Sequence, residues 1–162
     1  MRGAMEGHIE ELKDGRLIMI MRTQLGSVFL SFSLDAGDTW SKPQTTALRA
    51  PESCPELARI PSTGDLAIVW NDSEYDPKFG SHYGKRSPLS IAISRDEAKT
   101  WSEPRHIETD PKWAFSNPGL WFFGKDRAMV TYWACPYTPK WLMDVKLIDL
   151  KAALFDVSWL YA

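Results

Sequence analysis

The sequence has few of the residues that form disulfide bonds or bind metal ions: it has 2 cysteines and 3 histidines among 162 residues. Cys54 and Cys135 allow at most one bridge, so a disulfide framework is excluded and two separate buried thiols are expected. The histidines His8, His82 and His106 lack the spacing of metal ligands. The sequence therefore predicts no metal site, and it holds no motif that calls for a cofactor.

Positive charge and long apolar runs are also scarce. The net charge of −2 gives no basic field for nucleic acid or anionic lipid, so neither is expected as a partner. No run approaches the roughly 18 apolar residues of a membrane span, and the first ten residues lack the apolar core of a signal peptide. We expect a soluble chain, and its compartment stays open.

Aromatic residues are abundant, with 8 tryptophans, 5 tyrosines and 7 phenylalanines. Such a load suits wide hydrophobic cores or a surface on which sugars stack. With 44% hydrophobic and 25% charged residues, the chain has an ordinary globular balance and can bury one sizeable core.

Two octets share one pattern: SLDAGDTW over residues 33–40 and SRDEAKTW over residues 94–101. In the first, Asp35 can accept hydrogen bonds from turn amides, and Gly37 suits a positive φ. In the second, Ala98 stands in place of the glycine. Each octet follows an apolar, β-branched run, which predicts a hairpin corner at the end of a strand.

Three longer segments repeat one plan of apolar anchor, turn and apolar strand, and they cover residues 9–22, 55–71 and 117–133. Further strands are predicted after them, at Val28–Phe32, Leu89–Ile93 and Val145–Ile148. A repeated unit of short strands joined by turns, as in these three segments, is typical of β-propeller blades. We predict an all-β fold of about three four-stranded antiparallel blades in one domain, with units at about 6–50, 51–110 and 111–162.

Two polar, aromatic connections interrupt the repeat. Residues 71–87 form a loop of a length that is often functional, and we interpret it as a candidate lid over a site. Residues 133–141 form the second connection. The end, from residue 151 to 162, could be a last strand or a short helix.

The octets resemble the Asp-box of sialidase-like (BNR-repeat) β-propellers, and the chain resembles that family from about Glu6 to Tyr132. The resemblance implies the C-terminal half of a six-bladed propeller, that is, a partial or half propeller. In that family the octet is a folding device on the outside of a blade, so it specifies fold rather than chemistry. A half ring would leave two apolar flanks, and self-association could cover them.

The resemblance also implies site residues. The segment Glu6-Gly-His-Ile-Glu-Glu-Leu12 matches the family's glutamate motif, so Glu6 would be the catalytic glutamate that polarises the nucleophile. Arg22 and Arg86 would bind the substrate carboxylate, which guanidinium groups clamp through paired hydrogen bonds. Phe115 would line the substrate where the family has its nucleophilic tyrosine, and Tyr83, Tyr132 and Tyr137 are possible replacements.

The family's acid/base aspartate and first arginine cannot be assigned here. We therefore predict a sialidase-like glycoside hydrolase fragment, related to exo-α-sialidases that act on terminal sialic acid or similar acidic sugars, and inactive or impaired as an isolated chain. The alternative is a carbohydrate-binding or assembly module without catalysis. A purely structural role stays open as a third interpretation, and the partner expected for the first two is an acidic sugar or glycoconjugate.

Overall fold

A computed structural model describes residues 3–80 and 82–162 as three antiparallel sheets placed side by side, which confirms the predicted all-β, propeller-like architecture. The first sheet, blade 1, contains β1 (Met5–Glu11), β2 (Leu17–Arg22), β3 (Ser27–Ser33) and β4 (Gln44–Arg49). Blade 2 contains β5 (Glu56–Arg59), β6 (Leu66–Asn71), β7 (Leu89–Ser94) and β8 (Arg105–Glu108). Blade 3 contains β9 (Trp113–Phe123), β10 (Arg127–Pro136) and β11 (Asp149–Asp156).

Blade 3 has three strands in the described chain, where the sequence predicted four. After β11 the chain forms a short 3-10 helix, Val157–Tyr161. Val157 and Leu160 are buried in the core between blades 2 and 3, so this segment packs across the blades instead of pairing with β11.

The predicted strand at residues 145–148 is wrong. The chain there forms a 3-10 helix, Val145–Leu147, because the side chain of Asp144 accepts a hydrogen bond from the Lys146 amide at 3.2 Å and caps the turn. Val145 and Leu147 are 61% and 60% exposed, so no burial pulls them into a sheet. The strand begins at Asp149 instead.

Two hydrophobic cores hold the blades together. The first core lies between blades 1 and 2 and includes Ile18, Ile20 and Trp70. The second core lies between blades 2 and 3 and includes Val69, Ile91 and Val130. Successive side chains of β6 point alternately into the two cores, and all six of its residues are buried, as expected for the middle strand of a middle blade.

The two octets close by the same hydrogen bonds. Asp35 accepts from the Ser33 hydroxyl at 2.8 Å, from the Thr39 amide at 2.8 Å and from the Thr39 hydroxyl at 2.5 Å. Asp96 accepts the equivalent bonds from Ser94 and Thr100 at 2.9, 2.9 and 2.6 Å. Both octets lie between the third and fourth strands of their blades, and Glu97 of the second octet pairs with Arg59 of β5 at 3.0 Å. Their position supports a role in folding.

The first strands of the three blades, β1, β5 and β9, lie next to one another. Side chains near their beginnings therefore meet, although they are far apart in sequence. No helix in the described part of the chain has the length and apolar character needed to cross a bilayer.

Candidate functional site

Arg22 and Glu6 form the ion pair at the centre of the candidate site. Arg22 ends β2, its side chain is 7% exposed, and its Nη1 donates to Glu6 Oε2 at 2.7 Å. Glu6 lies in an irregular part of β1, between Met5 and His8, with φ at +51°. This backbone conformation, uncommon for a residue other than glycine, keeps the carboxylate beside the end of β2.

Arg86 enters the site from the end of the 71–87 loop and is 2% exposed. Its Nη2 donates to the Glu52 carbonyl oxygen at 3.2 Å, and its Nη1 donates to the Ser116 hydroxyl. Its backbone is also held, since the amide donates to the Tyr137 hydroxyl at 2.7 Å and the carbonyl accepts from the Phe115 amide at 2.9 Å. Burial, and then the charge of Arg22, lower the pKa of Arg86.

Glu52 connects the two arginines. Its side chain is 1% exposed, and its Oε1 lies 3.7 Å from Arg22 Nη2 and accepts from Gln24 Nε2 at 3.0 Å. Two guanidinium groups and two carboxylates thus offset one another, which is the condition for keeping charges out of water. We call Glu6, Arg22, Glu52, Cys54, Arg86 and Ser116 the arginine cluster.

Cys54 is the second hydrogen-bond donor to the Glu6 carboxylate, beside Arg22. Its Sγ donates to Glu6 Oε2 at 2.7 Å and lies 3.5 Å from Asn117 Oδ1. Burial and the neighbouring Glu6 raise the pKa of Cys54 to about 11, so it is a thiol near neutral pH. Burial would raise the pKa of Glu6, but the hydrogen bonds from Cys54 and Arg22 outweigh it and lower that pKa.

Phe115 does not present its side chain to the cluster. Its ring is 1% exposed in the second core and meets Tyr132 edge to face, with 6.0 Å between ring centroids. Because side chains alternate along β9, Ser116 points to Arg86 instead. The side chain of Phe115 thus has no surface to offer a ligand, contrary to its predicted place in the substrate surface.

The tyrosines considered as replacements have other contacts. The Tyr132 hydroxyl donates to Glu108 at 2.7 Å, and burial together with that carboxylate raises its pKa. Burial likewise raises the pKa of Tyr137, whose hydroxyl accepts from the Arg86 amide. Tyr83 stacks near Tyr75, with 5.7 Å between centroids. A raised pKa works against a phenolate nucleophile.

The 71–87 loop packs on the second aromatic connection. Phe79, Tyr137 and Trp141 lie within 5.5 to 6.0 Å of one another by ring centroids, and Lys85 Nζ lies 4.3 Å from the Trp141 centroid. Together with the Arg86 backbone bonds, these contacts hold the end of the loop against the site. Within residues 3–80 and 82–162, no group of His, Cys, Asp and Glu is placed to bind a metal ion.

Sequence reasoning missed Glu52, Cys54 and Ser116. A signal for Glu52 was present, since it precedes Leu57, an apolar residue at the start of the 55–71 segment, by nearly the spacing that separates Glu6 from Leu12. Cys54 and Ser116 carry no such signal, because their contacts depend on how neighbouring blades meet.

Known structures share this fold. An intramolecular trans-sialidase from leech, in complex with 2,7-anhydro-Neu5Ac, is 19% identical with a TM-score of 0.73, over 97% of this chain and 24% of that chain. An intramolecular trans-sialidase from Ruminococcus gnavus is 18% identical with a TM-score of 0.71, over 98% of this chain and 34% of that chain. An α-L-arabinanase from Penicillium chrysogenum, complexed with arabinobiose, is 16% identical with a TM-score of 0.63, over 94% of this chain and 46% of that chain.

The chain thus spans less than half of each of these three proteins. At these identities the likeness establishes a glycosidase-like propeller fold and not an activity. No curated protein sequence matches the chain. The sequence profile described as "BNR repeat-like domain" matches residues 1–127, which is most of the chain. The protein therefore belongs to the BNR repeat-like domain family, with the fold of the sialidase-like β-propellers.

Proposed function

We propose that this chain carries the glutamate and arginine half of a sialidase-like glycosidase site, and that this half binds an acidic sugar without hydrolysing it. The observation that supports the proposal most is that Arg22 and Arg86 both contact Glu52. Arg22 lies beside its carboxylate, and Arg86 donates to its backbone carbonyl oxygen. The two arginines come from different blades, and both are almost fully buried. Such a pair provides the planar donors that clamp a carboxylate.

The ligand carboxylate would compete with Glu6 for Arg22. Glu6 is the exchangeable partner because its side chain is 46% exposed, whereas the Glu52 side chain is 1% exposed and accepts a hydrogen bond from Gln24. Since the cluster is electrically balanced before binding, the net gain is modest. We expect a dissociation constant of roughly millimolar order.

Hydrolysis needs a nucleophile and a proton donor, each of which contributes orders of magnitude in rate. If Glu6 had the role that its resemblance to the sialidase glutamate implies, it would activate a tyrosine. In this chain its carboxylate instead contacts the protonated thiol of Cys54. Phe115, at the expected tyrosine position, is in the core. These contacts favour binding over turnover, and so favour the carbohydrate-binding alternative over an active enzyme.

The test combines turnover with binding. The wild-type protein should show no release of fluorophore from a fluorogenic sialoside above background, but a weak chemical-shift response to free N-acetylneuraminic acid. Arg22→Ala should abolish that response. Arg127→Ala is the matched control, since this arginine is half exposed and pairs with Asp156 at 3.3 Å on blade 3. Sialoside hydrolysis by the wild type, or an unchanged response in Arg22→Ala, would contradict the proposal.

A further inference from the structure

The Glu6 carboxylate contacts Arg22 in the way that an acidic ligand would. Its Oε2 accepts from Arg22 Nη1 at 2.7 Å, a charge-assisted hydrogen bond. The other carboxylate near this guanidinium, that of Glu52, lies 3.7 Å from Arg22 Nη2 and is almost fully buried. A ligand carboxylate that reaches Arg22 from solvent therefore has to displace Glu6, the more exposed of the two.

The charges of the arginine cluster decide what this displacement costs. Arg22 and Arg86 offset the carboxylates of Glu6 and Glu52 before a ligand binds. A ligand carboxylate adds one negative charge beside side chains that are almost fully buried, where an unbalanced charge is costly. Uptake of one proton from solvent by Glu6 restores the balance, because the ligand carboxylate then takes the place of the Glu6 carboxylate.

The groups around Glu6 show why its proton affinity should change. Arg22 and Cys54 donate to its Oε2, Arg86 acts on it through its charge, and the charge of Glu6 acts on His8, two residues along β1. Burial raises the pKa of Glu6, but the hydrogen bonds and the arginine charges outweigh burial and lower it. Part of this lowering depends on the contact with Arg22, so a ligand that takes Arg22 should raise the pKa of Glu6.

We propose that Glu6 is an internal competitor for the carboxylate site, and that an acidic ligand binds Arg22 together with one proton, which Glu6 takes up. This role for Glu6 presupposes the acidic-sugar site proposed above. The affinity for an acidic ligand should then rise as the pH falls. It should also rise when the negative charge of Glu6 is removed.

The direction of the pH dependence follows from the two states of Glu6. Without ligand its pKa lies below the ordinary value of a glutamate, about 4.3, and with ligand on Arg22 it lies higher. Between the two values the ligand-bound protein holds one proton more than the free protein. The affinity therefore rises by at most about tenfold for each pH unit that the pH falls in this window. The carboxyl group of the ligand stays ionised above about pH 4.5 and does not oppose this rise.

The test is a chemical-shift titration with free N-acetylneuraminic acid at pH 5 and at pH 7.5. The wild-type dissociation constant should be about three- to tenfold smaller at pH 5. Glu6→Gln keeps an acceptor for Arg22 and Cys54 but carries no charge, so it should bind about tenfold more tightly than wild type at pH 7.5 and lose most of the pH dependence. Glu11→Gln is the matched control, because it removes one exposed negative charge from the same strand, and it should behave as wild type.

A second measurement follows the proton directly and needs no substitution. In wild-type protein labelled with carbon-13, the carboxyl resonance of Glu6 at pH 5 should move toward its protonated position as N-acetylneuraminic acid is added. A resonance that stays in place, or a wild-type affinity that does not change with pH, would overturn the proposal.

The variants distinguish this proposal from the proposed function. Equal or weaker binding by Glu6→Gln would overturn the role of Glu6 and leave the carboxylate site standing. A pH dependence that survives in Glu6→Gln would also overturn it, and would assign the proton to another group, such as the His8–Glu56 pair. A wild-type response that persists in Arg22→Ala would contradict the carboxylate site itself, as would no response from wild type and Glu6→Gln at either pH, and either result would overturn both proposals.

Discussion

At the scale of single residues, Asp35 shows how the first octet is held. Its carboxylate accepts three hydrogen bonds from Ser33 and Thr39, and these bonds lower its pKa. Asp35→Ala should lower the urea midpoint without altering ligand contacts, because the Thr39 amide loses its acceptor. Asp38→Ala, in the same exposed turn, is the control and should change the midpoint less. Equal midpoints for wild type and Asp35→Ala would exclude this role.

Phe115→Tyr tests whether a hydroxyl at this position could restore hydrolysis. Since the ring is 1% exposed in the second core, the added hydroxyl would be buried and should destabilise the fold by about 1–3 kcal/mol unless it finds a partner. It should produce no turnover of a fluorogenic sialoside. Urea unfolding and a sialoside assay check the two halves of the prediction, and hydrolysis by this variant would show that the side chain reaches the site.

We expect Glu56 to make the stability of the protein depend on pH. Its Oε2 lies 3.0 Å from His8 Nε2; burial raises the pKa of Glu56 to about 7 and lowers that of His8. The Glu56 carboxyl is therefore about half protonated near pH 7, because the cost of burying its charge exceeds the gain from an ion pair with His8.

In the unfolded chain the pKa of a glutamate is about 4.3. The contribution of protonated Glu56 is thus full below about pH 4 and is lost as the pH rises through about 7. Relative to wild type, Glu56→Gln should gain on the order of 1 kcal/mol in unfolding free energy between pH 5 and pH 8, a value reduced by solvent screening of the half-buried group. Urea unfolding at the two pH values measures it, with the exposed Glu103→Gln as control. A constant difference between wild type and Glu56→Gln would contradict the shift.

At the scale of elements, the 71–87 loop is fixed at Gly84. Its φ is +147°, and a Cβ there would lie 2.4 Å from the Glu74 carbonyl oxygen and 2.7 Å from Pro51 Cβ. Gly84→Ala should loosen the loop end that places Arg86, so trypsin should cut after Lys85 faster.

Gly124→Ala is the control for this prediction. Gly124 also has a positive φ, +60°, but a Cβ there meets nothing within 4 Å. It should add backbone strain of about 1–2 kcal/mol to a hairpin and leave cleavage after Lys85 unchanged. Equal cleavage rates in wild type and Gly84→Ala would show that the close approach does not hold the loop.

Strands and turns were largely predictable from sequence, and side-chain directions near their ends were not. The apolar runs and glycine turns gave β2, β3, β6 and β7, because these depend on local alternation and burial. The 3-10 helix at Val145–Leu147 depends on one cap by Asp144, which overrides an apolar run of strand type. The Phe115 side chain points into the second core because of where β9 packs against blade 2, and no local sequence pattern encodes that packing.

At the scale of the whole molecule, the resemblance predicted that Glu6 and two arginines belong to one site, and the fold brings them together. It did not predict how far they are buried, since that depends on Glu52 and Ser116 from segments outside the motif. The consequence is a cluster balanced by its own carboxylates, with Glu6 as the exposed member. In the proposed function, binding of an acidic sugar would therefore exchange one carboxylate for another at Arg22.

The most direct test of this account compares free N-acetylneuraminic acid with its methyl ester, which differs by loss of the negative charge, in a chemical-shift titration of the wild-type protein. We predict a response to the acid at roughly millimolar concentration and a much weaker response to the ester, because the buried Arg22 and Arg86 recognise the carboxylate. Equal responses to acid and ester, or no response to either, would contradict the proposal that the arginine cluster is a carboxylate-binding site.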